Sequence, residues 1–120
     1  MNMIKAIRGA VSVERNTKVD ILAATKKLLD EIKTRNNLQE KEVISMFFTA
    51  TPDLNAEFPA RAVPEIGWDA VPRICSVEID VPGSVKMCVR VLLHINSENS
   101  KEIKHVYLGD AVKLKGDNQQ

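Results

Sequence analysis

The stretch Val85 to Ile95 constrains the fold of this chain more than any other. It alternates with a period of two, as the longest strand of the chain: Val89, Val91, Leu93 and Ile95 point one way, and Cys88, Arg90, Leu92 and His94 the other. A chain built round it must cover an apolar sheet face and must accommodate a guanidinium amid apolar neighbours, where a charge is costly unless paired. Two readings of Arg90 follow. One is a structural ion pair with Glu78 or Asp80, which a hairpin folded at Pro82-Gly83 would bring close in register. The other is an anion site, because a guanidinium holds carboxylate or phosphate in a two-pronged fork.

The remaining elements follow from periodicity and punctuation. Met3 to Arg8 alternates as a strand, and Gly9 permits a bend, a bulge or the close approach of another group. Arg8 is thus a strand-end cation beside flexible backbone. Thr17-Lys18-Val19-Asp20 approximates a capping box ahead of a helix with Ile21, Ala24, Thr25, Leu28, Leu29 and Ile32 on one stripe, closed by Asn36-Asn37. Its charges read as a solvated face. Val43 to Thr49 suits a strand covered on both faces. Phe58 to Val63 reads as a short helix entered through Pro59, with Trp68 to Pro72 as connector. Arg73 to Asp80 and His105 to Leu108 are further strands, and 116–120 reads as a frayed, flexible tail behind a single domain over 1–115. The order β-α-β-α-β-β-β predicts an α+β fold, a curled mixed sheet packed with one long and one short helix.

Charge and composition exclude several classes. With 17 basic and 16 acidic residues the formal net charge is +1, against the basic excess of a dedicated nucleic-acid binder. No apolar run approaches the roughly 20 residues that span a bilayer, and Met1 to Lys5 lacks the features of a signal peptide, so a cytoplasmic location with no membrane partner is expected. At 120 residues the surface removed from water is modest, and oligomerisation would help.

The polar chemistry is sparse. Cys75 and Cys88 lack Cys-x-x-Cys spacing, and His94 and His105 form no ligand pair, so no metal is expected. Nucleophile–base pairs, glycine-rich phosphate loops and paired carboxylates of familiar spacing are missing too. Any catalysis would be electrostatic and conformational, not covalent.

Several blocks in order carry a family resemblance: Ile7-Arg8-Gly9-Ala10, Val13-Glu14-Arg15-Asn16-Thr17, Ala50-Thr51-Pro52-Asp53-Leu54-Asn55-Ala56 and Phe58-Pro59-Ala60-Arg61-Ala62-Val63. Cys75 with Glu78-Ile79-Asp80-Val81, Cys88-Val89-Arg90-Val91 and His105-Val106-Tyr107-Leu108-Gly109-Asp110-Ala111-Val112 complete them. In this order the chain closely resembles the AroH-class chorismate mutases, the small, monofunctional, trimeric type, over nearly its whole length.

That resemblance implies the bacillus-type chorismate mutase fold, three subunits forming a pseudo-α/β barrel, and active sites in the clefts between them. It implies the cofactor-free and metal-free Claisen rearrangement of chorismate to prephenate, toward phenylalanine and tyrosine. By the same resemblance Arg8 and Tyr107 match groups that bind a substrate carboxylate, and Arg90 the cation aimed at the breaking ether oxygen. Glu78 and Cys75 match residues that bind the substrate hydroxyl, and Phe58 and Leu114 apolar residues around the ring. Arg61 stands where the family often has lysine. The chain departs from the pattern at Pro64, where an arginine is common, by one residue fewer between Pro64 and Gly67, and at Lys115, often arginine. A trimeric imine deaminase and a non-catalytic carboxylate-binding trimer are the alternative readings.

Overall fold

The computed structural model describes residues 2–115; Met1 and the tail expected over 116–120 lie outside the described residues. Its strands are β1 (Asn2–Ser12), β2 (Val43–Ala50), β3 (Arg73–Val77), β4 (Cys88–Glu98) and β5 (Val106–Leu108), with the helix α1 (Lys18–Arg35) following β1. They form one five-stranded sheet in the order β3-β2-β4-β1-β5. β4 runs antiparallel to both β1 and β2, whereas β3 and β5 pair parallel to β2 and β1, so the sheet is mixed as expected.

Alternation decides which face is covered. Val89, Val91, Leu93 and Ile95 of β4 align with Ile7 and Val11 of β1 and with Met46 and Phe48 of β2, and all of these are buried. The stripe Ile21, Thr25, Leu28, Leu29 and Ile32 of α1 is buried too and completes this core. Gly9 interrupts nothing, since β1 runs straight through it. Its role is the close approach: a Cβ there would stand 2.6 Å from Ile32 Cδ1 and 3.3 Å from Leu28 Cδ1. The helix begins as expected, with Thr17 Oγ1 accepting the Asp20 N–H at 3.1 Å. Asp20 does not close the capping box; its carboxylate accepts from Arg15 Nε at 2.9 Å. Asn36 caps the other end, and its buried side chain bonds both the Ile32 and Lys104 carbonyls and the Lys104 N–H.

Three expectations are corrected. First, β3 and β4 form no hairpin, because β2 lies between them. The apolar residues Met46, Phe48 and Ala50 match Leu93, Val91 and Val89 across that antiparallel ladder, which places β2 inside the sheet. Pro82-Gly83 makes a turn, with Gly83 at φ 84°, but inside an irregular excursion that separates Val77 from Cys88. β3 therefore ends before Asp80, and β4 starts after Val85. Second, the short helix is a 3-10 turn, Pro59–Ala62, followed by another, Pro64–Ile66. Pro64 lacks an N–H, so an α-helix cannot propagate through it, and the tighter bonds Arg61 N–H to Phe58 O and Val63 N–H to Ala60 O form instead. Third, within the chain β2 is covered on one face only: Ile44 and Phe47 are 42% and 45% exposed. Trp68 to Pro72 is connector as expected, and Trp68 itself is buried in the core, 2% exposed, with Lys33 Nζ 5.9 Å from its ring centroid.

Candidate active site

Because Gly9, Val91 and Phe48 face α1, their neighbours Arg8, Arg90 and Thr49 project from the opposite, open face of the sheet. The ladder sets Arg90 between Ala10 and Thr49, and Arg8 beside Leu92, which faces Phe47. β5 brings Tyr107 opposite Ala10, on the same face. The Arg8 guanidinium lies 5.8 Å from the Tyr107 ring centroid, within reach of a cation–π contact. A recess of about 330 Å³ is lined by Arg8, Phe47, Thr49, Glu78, Arg90 and Tyr107, so four of the predicted residues converge there.

Arg90 is paired. Its Nη1 donates to Glu78 Oε1 at 3.0 Å and Oε2 at 3.1 Å, with both side chains about one-fifth exposed (22% and 20%). The partner is the one expected, but the route is different. Glu78 reaches Arg90 across β2: its N–H bonds the Ala50 carbonyl at 2.9 Å, and its Oε1 also accepts from Thr49 Oγ1 at 3.1 Å. Charge-assisted bonds from two sides hold the carboxylate in place. Thr49 carries no signal in the sequence, since a threonine in an apolar strand is ordinary β-former chemistry.

A larger recess, about 560 Å³, shares Arg90 and Glu78 with the first and extends to Cys88, Leu114, Ile79 and Val85. Leu114 enters it from a 3-10 turn, Gly109–Leu114, that packs Ala111 and Leu114 against Ala10 and Cys88. Burial pushes the Cys88 thiol up to about 11, so it stays protonated and inert at neutral pH.

The other three predicted residues stand apart. Cys75 pairs in register with Phe48, which puts it in the helix-facing row, one residue out of phase with the Thr49–Arg90 row. It shares a shallow recess with Phe58, Arg61 and Arg73. Arg61 lies over the Phe58 ring, 5.6 Å from its centroid, and Phe58 is 59% exposed. Arg61 Nε also pairs with Glu57 at 3.3 Å, and the Phe58 N–H holds the Glu57 carboxyl below its usual range. Desolvation raises the Cys75 thiol. Within one chain, then, Cys75 is not brought to Glu78.

His105, weighed in the sequence only as a metal ligand, has another task. Its Nδ1 accepts the Arg8 backbone N–H at 2.9 Å, capping the ladder where β5 begins. That bond requires the neutral ring with its proton on Nε2. Burial, and then Arg8, pull the pKa of His105 below its usual value.

A mixed sheet bearing a fixed cation–carboxylate pair beside a second cation and a phenol has the chemistry to hold a small anion and to act on it by positioning and electrostatics. The chorismate mutase type I family matches residues 4–118. The chain belongs to that family, and its activity is that of a chorismate mutase, an isomerase. Chorismate mutase AroH of Bacillus subtilis (strain 168) is 45% identical over 117 residues, which cover 96% of this chain and 92% of that protein. Chorismate mutase AroH of Thermus thermophilus is 39% identical over 96% of each chain. The solved chorismate mutase from Clostridium thermocellum Cth-682 superposes with a TM-score of 0.88 at 49% identity, covering 92% of this chain and 99% of that one. The deaminase and non-catalytic readings give way to these matches.

Proposed function

We propose that this isomerase converts chorismate to prephenate in a cleft completed by a second copy of the chain, with Arg90 stabilising the charge that grows on the breaking ether oxygen. The observation that carries the reading is the Arg90–Glu78 pair held on the open sheet face, beside Arg8 and Tyr107. Chorismate is a dianion. Arg8 supplies charge for one carboxylate, and the Tyr107 hydroxyl a hydrogen bond beside it. Glu78 orients the guanidinium and offers carboxylate oxygens to the substrate hydroxyl. In the rearrangement the C–O bond lengthens as the new C–C bond forms within one molecule. A cation already aimed at the ether oxygen favours the transition state over the ground state. Confinement of the substrate in its compact conformer contributes the rest.

Leu114 closes the cation side with an apolar wall. Phe58, Arg61 and Cys75, separated from that side within the chain, form the complementary half and face the cation half of a neighbouring copy. The exposed apolar residues Phe47, Ile74, Val77 and Ile79 support such a neighbour, since a sheet face of this kind calls for cover. A closed cyclic trimer satisfies every copy with one type of interface.

The test is turnover of chorismate, followed by loss of its diene absorbance and appearance of prephenate. Arg90→Ala should lose at least about 100-fold in kcat, the scale of removing one oxyanion donor. A folded Arg90→Ala with near-normal kcat would reject this role for the guanidinium.

A further inference from the structure

The segment Ala50-Thr51-Pro52-Asp53 has no part in the cleft's chemistry as proposed above, yet it holds the strand that carries Arg90. The Asp53 carboxylate accepts the Met87 N–H through both oxygens, at 3.1 Å to Oδ1 and 3.0 Å to Oδ2. Met87 sits at φ 50°, in the left-handed region that disfavours a residue with a side chain. Its carbonyl accepts the Val13 N–H at 2.7 Å. The next residue, Cys88, opens β4. It exchanges bonds with Thr51, N–H to Thr51 Oγ1 and carbonyl from Thr51 N–H, both 3.0 Å. Arg90 lies two residues further on. The same run of chain holds Glu78, through Ala50 O and Thr49 Oγ1.

We propose that Asp53 is a positioning residue for Arg90: by locking the left-handed turn at Met87 it sets the angle at which β4 enters the sheet, and so the aim of the guanidinium against Glu78. A strained backbone position persists only where its surroundings over-determine it, and such positions cluster at functional sites. Here the strain lies one residue before the strand, and the carboxylate that enforces it is reached from the strand end that also holds Glu78. A shift in this turn would move Arg90 relative to Glu78 more than Arg8, which pairs with β4 two residues further along, at Leu92. The expected signature is therefore a loss in kcat with little change in KM.

This inference rests on the role proposed for Arg90, and the test separates the two. Chorismate turnover and thermal midpoint are measured on the full chain for wild type, Arg90→Ala, Asp53→Asn, Asp53→Ala and Asp53→Ala/Met87→Gly. Asp53→Ala should lose about tenfold in kcat with KM within about twofold, and Asp53→Asn less, since the amide keeps one acceptor oxygen. Adding Met87→Gly should restore kcat to within about threefold of wild type, because glycine adopts the left-handed turn without a carboxylate to hold it. Should Asp53→Ala fail to fold, the isosteric Asp53→Asn with and without Met87→Gly makes the same comparison. Unchanged kcat in a folded Asp53 variant beside an impaired Arg90→Ala overturns the role of Asp53 alone. So does a loss confined to KM, or one that Met87→Gly leaves untouched. An Arg90→Ala as fast as wild type would instead overturn the reading underneath.

Discussion

At the scale of the residue, the role proposed for Arg90 depends on what keeps it still. A guanidinium in a partly buried strand is costly until its partner and surroundings repay desolvation. Glu78 and Thr49 do so here, and the pair is thereby fixed in orientation before substrate arrives. Arg90→Lys should remain at least about tenfold slower than wild type, since an ammonium on a flexible stem does not reproduce the planar fork. Recovery of full turnover in Arg90→Lys would show that charge alone suffices.

His105 adds a pH dependence of known sign. Its pKa is lowered in the folded state from that of an ordinary histidine, so the unfolded chain binds the proton more readily. Stability from the Arg8 N–H to Nδ1 bond is fully present above the unfolded value and is lost as pH falls through the folded one. Urea unfolding at about pH 8 and about pH 5.5 should show a loss on acidification that shrinks in His105→Asn, whose Oδ1 stands where Nδ1 does and accepts the same bond without titrating. Equal loss in both proteins would place the titration elsewhere.

At the scale of the element, the contact between α1 and β1 is a tight constraint. Gly9 leaves room for Ile32 and Leu28, and its backbone shows no left-handed φ, so the requirement is space alone. Gly9→Ala should destabilise the fold by about 1–3 kcal/mol, read as a lower urea midpoint at unchanged slope. An unchanged midpoint would mean that α1 slides without cost. Much of this scale was legible in the sequence. The α1 stripe, the Thr17 cap and the alternation of β1 and β4 are local periodicities, and they survive in the fold. The 3-10 character of Pro59–Ala62 was not legible, because periodicity over so few residues does not separate a tight turn from a helix.

At the scale of the whole molecule, the residues proposed for the site fall into two groups that do not meet within the chain. Arg8, Glu78, Arg90, Tyr107 and Leu114 lie in one, Phe58, Arg61 and Cys75 in the other. Interfacial sites make a distinctive prediction for mixtures. Arg90→Ala and Phe58→Asp should each be impaired alone. After subunit exchange at equal amounts, about a quarter of the clefts in a cyclic trimer would combine two intact halves, and turnover should rise accordingly. No gain over the parent variants, with exchange verified by mass, would place each complete site within one chain. Sedimentation at assay concentration should give three times the chain mass.

What the sequence by itself determined is the identity and phase of the parts. It established which residues alternate, where α1 starts, that a cation sits in an apolar strand, and which family the ordered motifs resemble. Tertiary structure alone decided how the cation is met. Glu78 and Arg90 are near in sequence, yet they pair across β2, a strand far from both in the chain, and the hairpin that local spacing suggests does not form. The left-handed turn at Met87, the glycine space under α1 and the separation of Cys75 from Glu78 belong to the same class. The physical reason is common to them all. Local pattern follows from the fixed geometry of strand and helix, whereas strand order and register are set by which apolar faces can be buried together, a property of the whole chain at once.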